Sequence, residues 1–226
     1  MPTYKLHYFP IKGIVEGVRL MFVYTKTPFE DHRVPIPNWF TKLKATYPNG
    51  KLPMLEVDGQ MLSQNAAIAK FVSDTVGLTP SDKWEEAKAM EVTCMMGDLS
   101  INIYAFFAAT GVQGLDQPAS TPQNVALFHK HVNDFSKPAM RLLEELLAQT
   151  QSDWLFQKIS LADFMIYSLV TGHEFYWAAD LNDYPNLKKH RAAIEALPQL
   201  QEYFKEHLND VHSPKDPKVV LKSPQN

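Results

Sequence analysis

The chain has 226 residues, with 22 basic against 25 acidic side chains and a formal net charge of -3. That length holds one large or two small domains, and the near balance of charge leaves no electrostatic footprint for nucleic acid or an anionic membrane. A single cysteine, Cys94, excludes an internal disulfide and fits a reducing compartment. The start Met-Pro-Thr-Tyr-Lys-Leu-His has neither the basic nor the apolar run of a signal peptide. No uninterrupted apolar segment is expected to reach membrane-spanning length. The expectation is a soluble cytoplasmic protein.

From the start, Tyr4 to Phe9 alternates as a strand, with Tyr4, Leu6 and Tyr8 on one face. Pro10 and Gly13 break it. Val15, Val18 and Phe22 recur at helical spacing up to about Tyr24, and Thr27-Pro28 closes that helix. Phe29 to Val34 is a charged second strand, and Trp39 to Ala45 makes a short helix after the loop of Pro35 and Pro37. Gly50-Lys-Leu-Pro-Met-Leu-Glu-Val-Asp-Gly-Gln-Met-Leu-Ser-Gln-Asn65 then reads as turn, strand, tight turn, strand and helix start. Pro53 heads the strand Met54 to Val57, where no ladder bond is lost. Asp58-Gly59 is a two-residue hairpin signal, and Asn65 is expected to cap a helix running to Val76.

Two features of this stretch suggest binding. Leu52-Pro53 is an extended pair whose backbone can meet a peptide-like ligand, edge-on if the bond is cis. Gln64-Asn65 stands at a helix start, where free N–H groups favour an anion such as a carboxylate. The order strand, helix, strand, helix, strand, strand, helix makes a small α/β domain around a four-stranded mixed sheet over 1–77. Gly77 to Lys83 is a linker, with the helical half beginning at Trp84.

The second domain, 84–208, reads as all helix. Trp84 to Thr110 and Gln123 to Gln149 are long helical patterns on either side of a loop with Gly111, Gly114, Pro118 and Pro122. Ser160-Leu-Ala-Asp163 resembles a capping box, with Ile159 as a staple and a helix to about Ala178 behind it. Tyr184-Pro185 and Pro198 open the last two helices, and the proline-bearing tail 209–226 is expected to be extended or disordered. His129-Lys-His131 and His173-Glu174 lack metal-ligand spacing, so no metal is expected. There is no Gly-rich phosphate loop and no nucleophile elbow.

Tyr8-Phe9, Trp39, Gly50 to Gly59, Gln64-Asn65 before Ile68-Ala69, and Ser160 to Asp163 together resemble the cytosolic glutathione S-transferases, over residues 2 to about 208. The sigma class, with its invertebrate detoxification enzymes and haematopoietic prostaglandin D synthases, is the nearest in pattern. The resemblance implies a thioredoxin-like glutathione-binding domain followed by a helical bundle. It implies glutathione as co-substrate, with Tyr8 as the catalytic hydroxyl that stabilises its thiolate. Trp39 and Lys44, with Lys42 as a substitute in a loop one residue longer than usual, match the positions holding the glycine carboxylate. Gly50, Lys51, Leu52 and Pro53 match the segment that pairs with the cysteinyl backbone, and Gln64 and Asn65 the γ-glutamyl carboxylate site. Asp98 would reach the glutamyl amine of a neighbouring subunit's ligand, which implies a homodimer. The electrophile pocket would take in Phe9, Ile14, Ser100, Tyr104 and Phe107.

The departures are specific. Asn65 replaces the usual Ser. Ile14 stands at a position that is Arg in some sigma enzymes, so no cation is expected to act on Tyr8. Gln157 replaces a Gly and is expected to strain the turn before Ser160, and Cys94 replaces an acidic residue. The main reading is glutathione conjugation to an apolar electrophile. The alternatives are a prostaglandin-type isomerase on the same thiolate, or a non-catalytic, crystallin-like binding or structural protein. A thioredoxin-type oxidoreductase is disfavoured because the first domain has no cysteine.

Overall fold

A computed structural model describes residues 2–110, 121–207 and 210. The tail and the loop expected after Thr110 lie outside or largely outside these. The first half runs β1 (Tyr4–Tyr8), α1 (Glu16–Tyr24), β2 (Glu30–Arg33), α2 (Ile36–Asn38), β3 (Met54–Val57), β4 (Gln60–Ser63) and α3 (Asn65–Val76). The sheet order is β2-β1-β3-β4, with β1 parallel to β2, antiparallel to β3, and β3 antiparallel to β4. This is the mixed four-stranded sheet expected from the alternation of patterns. Tyr4, Leu6 and Tyr8 are buried on one face of β1, and His7 is buried on the other. From Trp39 to Gly50 the chain continues past α2 through tight and wide helical turns.

The helical half comprises α4 (Lys83–Thr110), α5 (Pro122–His131), α6 (Lys137–Ala148), α7 (Leu161–Trp177), α8 (Pro185–Glu195) and α9 (Gln201–Glu206). Between α5 and α6 the helix widens over Val132–Ser136, just ahead of Pro138, whose ring and missing N–H disrupt a regular ladder. Helix α7 is the axis of the molecule, buried along nearly its whole length and packed against both α1 and α4. Close approach to α1 depends on Gly17, where a side chain would meet Met165 Sδ at 2.9 Å and the Phe164 carbonyl at 3.0 Å.

The start of α7 is built as its sequence predicts. Ser160 Oγ accepts from the Ala162 amide, and the Asp163 carboxylate accepts the Ser160 amide at 2.8 Å. The other carboxylate oxygen accepts the Leu155 amide at 2.8 Å and faces His190 Nε2 at 3.1 Å. The interdomain segment is tied to this start, since the Leu161 amide donates to the Leu78 carbonyl at 2.9 Å.

Two expectations need correction. Asn65 is the first helical residue of α3 and Gln64 is the cap, with φ 76° and no side-chain cap bond. Gln157 does not adopt a left-handed backbone in its turn: among the described residues, the non-glycine residues with positive φ are Lys26, Asn49, Asp58, Gln64 and Ala178. Helix α4 is long and apolar enough to cross a membrane by length and composition, at 28 residues with a mean hydropathy of 1.3 over its most apolar stretch, but Asp98, Ser100 and Asn102 interrupt it, so no uninterrupted apolar segment is present there. Its Val92, Met96, Leu99, Ile103 and Phe106 are nevertheless buried in the protein core.

Candidate active site

The sheet brings the separated motifs to one end. The β1–β3 register, with His7 opposite Met54, sets Tyr8 at the end where Leu52-Pro53 enters β3, through a cis peptide bond. The β3–β4 register, with Met54 opposite Ser63, carries Gln64-Asn65 to the same end. Phe9 lies edge-on to Trp39 with ring centroids 5.7 Å apart, so the helical-turn segment closes a third side. Helix α4 closes the fourth, with Tyr104 electrostatically coupled to Tyr8.

Tyr8 is 5% exposed. Burial, and then the neighbouring Tyr104, push its phenol well above the ordinary value, while the Ile14 backbone amide and Arg19 pull the other way. Burial wins, and Tyr8 is a protonated phenol at neutral pH. As a protonated phenol it retains its own O–H as a hydrogen-bond donor.

Gly13 makes this possible, and reading the sequence for breaks alone misses it. At φ +54°, a Cβ on Gly13 would lie 2.5 Å from Tyr8 Cε1 and 2.8 Å from Tyr8 Oη. The turn crosses the phenol so closely that only hydrogen fits.

The expectation that no cation acts on Tyr8 is overturned by Arg19. Its guanidinium carbon lies 5.9 Å from the Tyr8 ring centroid. Arg19 is completely buried and donates to the carbonyls of Ile11 and Lys12, both at 2.9 Å. It also donates to Glu16 at 3.2 Å and Asp31 at 3.1 Å. Glu16, also buried, accepts the Tyr203 hydroxyl at 3.1 Å. The charged group therefore holds the turn that lies over Tyr8 and, through Glu16, helix α9. The i, i+3 spacing of Glu16 and Arg19 was its only sequence signal.

The proposed ligand residues differ in how open they are. Trp39 is 4% exposed and packs on Phe9 and Tyr47. Lys42 and Lys44 are exposed and border one shallow basin with Thr41, Tyr47 and Gly50. The Lys44 stem runs over Gly50, where an added Cβ would stand 3.3 Å from Lys44 Cγ. Lys51 and Gln64 are exposed, Leu52 half-buried and Pro53 buried. Both polar atoms of the Asn65 amide are buried with no hydrogen-bond partner, an arrangement that costs about 1–3 kcal/mol and favours turning outward to a polar ligand. Asp98 is exposed on α4, one turn beyond the exposed Cys94.

Of the electrophile-pocket candidates, Phe9, Ile14 and Tyr104 surround Tyr8, Tyr104 being 68% exposed. The Ser100 hydroxyl donates to the Met96 carbonyl of its own helix at 3.0 Å. Phe107 packs edge-on against Phe106, 5.9 Å between centroids, within the core of the helical half.

The glutathione S-transferase N-terminal domain model matches residues 4–74, and the glutathione S-transferase C-terminal domain model matches residues 117–207. Glutathione S-transferase 1 of Ascaris suum is 30% identical over 211 residues, 91% of this chain and 97% of the relative. Hematopoietic prostaglandin D synthase of Gallus gallus is 32% identical over 212 residues, 88% and 94% of the respective chains. A monomeric glutathione S-transferase from the hookworm Necator americanus superposes with a TM-score of 0.75 at 26% identity, over 90% of this chain and 97% of that one. With both domains matched, and with relatives at this identity nearly end to end, the chain belongs to the glutathione S-transferase family.

Proposed function

We propose that the protein conjugates glutathione to small apolar electrophiles, with Tyr8 as the catalytic residue. The observation that carries this is the Tyr8 phenol: buried and kept protonated, with the Ile14 amide and Arg19 acting on it, so that it retains an O–H to donate. A thiol titrates near 8.5, so only a few per cent is thiolate at neutral pH. A hydrogen bond donated to sulfur favours the anion. The thiol proton passes to solvent, the thiolate attacks the electrophilic carbon, the S–C bond forms, and the leaving group departs with its electron pair.

In this reading Leu52 exchanges backbone bonds with the cysteinyl unit, beside Pro53, Gly50 and Lys51. Trp39 and Lys44 take the glycine carboxylate, and Gln64 and Asn65 the γ-glutamyl carboxylate. Phe9, Ile14 and Tyr104 present apolar surface to the electrophile, with Ser100 and Phe107 further along α4. Asp98 serves a twofold dimer, and sedimentation as a monomer at micromolar concentration would remove that role. A sigma-like class, a cytoplasmic location and a role in detoxification go with this reading. The test is ultraviolet titration of the thiolate with glutathione bound to wild type and to Tyr8→Phe. Thiolate near neutral pH in wild type alone supports the proposal, and binding without a thiolate signal moves the reading to a non-catalytic protein.

A second reading is glutathione-dependent isomerisation, which the likeness to the Gallus gallus prostaglandin D synthase favours. Product analysis separates it from conjugation, since an isomerase regenerates free glutathione.

A further inference from the structure

On the sheet face opposite Tyr8, His7 is 7% exposed and hydrogen-bonded at both ring nitrogens. Nε2 lies 3.2 Å from a Glu56 carboxylate oxygen and Nδ1 2.9 Å from the Tyr47 hydroxyl. A carboxylate only accepts, so Nε2 carries the proton. Nδ1 is then the bare nitrogen and accepts the Tyr47 O–H. Burial lowers the His7 pKa, its largest influence, which keeps this neutral tautomer in place at neutral pH. The other face of the Tyr47 arrangement points to the ligand side: its ring packs edge-on against Trp39, with centroids 5.3 Å apart, and Trp39 in turn packs on Phe9. Tyr47 also lines the basin that holds Lys42, Lys44 and Gly50.

The segment from Trp39 to Gly50 is made of short helical turns, with most of its residues exposed. Few long-range anchors hold a segment of this kind, and such segments open easily. The His7–Tyr47 bond joins its far end to the central strand of the sheet.

We propose that Tyr47, pinned by His7, is a positioning residue for glutathione binding. It holds Trp39 and the lysine-bearing turns in the geometry that receives the glycine carboxylate, without touching the reacting sulfur. This rests on the transferase reading above.

The consequence is a separation of binding from chemistry. Loss of one hydrogen bond of this kind is worth about 0.5–1.5 kcal/mol net, or roughly two- to tenfold in affinity. Tyr47→Phe keeps the ring on Trp39 and removes only the hydroxyl. It is expected to raise the KM and Kd for glutathione two- to tenfold, with kcat at saturating glutathione and the pKa of the bound thiol unchanged. His7→Phe should match it. His7→Asn, whose carboxamide oxygen stands near the place of Nδ1, should restore the wild-type KM, and the double variant Tyr47→Phe/His7→Phe should be no worse than either single one.

These constants are read from steady-state rates with a chloronitrobenzene electrophile and from calorimetric titration with glutathione. An unaltered KM and Kd in Tyr47→Phe overturns the inference while leaving the transferase reading intact. A fall in kcat or a shift in thiol pKa also overturns it, because the bond would then act on Tyr8. Wild-type protein that binds no glutathione overturns both.

Discussion

Replacing Gly13 with Ala tests the Tyr8 geometry more sharply than deleting the hydroxyl, because it leaves every polar group in place. The backbone at φ +54° becomes a left-handed non-glycine position, at about 1–2 kcal/mol. The new methyl would stand 2.5 Å from Tyr8 Cε1 and 2.8 Å from its oxygen, against a comfortable carbon contact of about 3.5–4.0 Å. The ring tip is neither the end of a flexible chain nor free to swing, since Tyr8 is buried beside Phe9 and Arg19. It must shift by roughly an ångström, enough to spoil a hydrogen bond. A hydrogen bond to a charged acceptor contributes about 1.5–3 kcal/mol, so the pKa of bound glutathione should rise by roughly one to two units. Near neutral pH, kcat/KM should fall about ten- to hundredfold. The assay is thiolate absorbance of the bound complex against pH, with urea unfolding beside it. If Gly13 acts through Tyr8, then Gly13→Ala/Tyr8→Phe titrates like Tyr8→Phe alone. A Gly13→Ala protein that loses stability but keeps the wild-type thiol pKa would refute the reasoning.

Arg19→Met removes the guanidinium from the buried Glu16 carboxylate, which keeps its hydrogen bond from the Tyr203 hydroxyl, and urea unfolding should show a loss of about 3–5 kcal/mol; a loss below ~1 kcal/mol would refute a stabilising role for the pair. Asp163→Ala removes acceptors for the Ser160 and Leu155 amides and for His190, and a similar loss of about 3 kcal/mol is expected in the same measurement. Burial holds His173 at a pKa of about 3, below its unfolded value near 6.5. The unfolded chain therefore takes up the proton first, and stability is present above about pH 6.5 and lost as pH falls towards the folded value, by roughly 2 kcal/mol between about pH 7 and pH 5. His173→Asn should flatten that part of the pH–stability profile, and a profile of unchanged slope would assign it to other groups.

The elements were legible because local chemistry and burial agree along most of the chain. Asp58-Gly59 fixed the hairpin, Ser160 and Asp163 fixed the start of α7, and alternation at Tyr4, Leu6 and Tyr8 fixed the inward face of β1. The Asn65 cap was misplaced by one residue because Gln64, a poor left-handed residue by propensity, is held at φ 76° by the join between β4 and α3. What stayed hidden depends on pairs far apart in sequence or on space. Nothing around His7 marks Tyr47 as its partner, forty residues on, and Gly13 reads as a strand breaker until the phenol it accommodates is placed.

The same spacing problem misled the electrostatic reading of Tyr8, and its resolution bears on the reaction. The family resemblance puts the cation that would act on the Tyr8 hydroxyl at position 14, where this chain has Ile. Arg19 instead lies over the ring, 5.9 Å from its centroid, with its charge already shared among two carbonyls and two carboxylates. A cation so neutralised lowers the phenol pKa less than burial raises it, and the net direction is up. In the proposed reaction Tyr8 would therefore act as a hydrogen-bond donor to the thiolate and not as a phenolate that takes the thiol proton. Arg19 contributes chiefly by fixing the Ile11–Lys12 carbonyls. That places the Gly13–Ile14 turn, which lies against the Tyr8 ring, and with it the Ile14 amide that pulls the phenol pKa down. On this account Arg19→Lys, which keeps the charge but loses the fork that holds both carbonyls and both carboxylates, should impair thiolate formation nearly as much as Arg19→Met. If Arg19→Lys titrated bound glutathione like wild type, charge and not placement would be what Arg19 supplies.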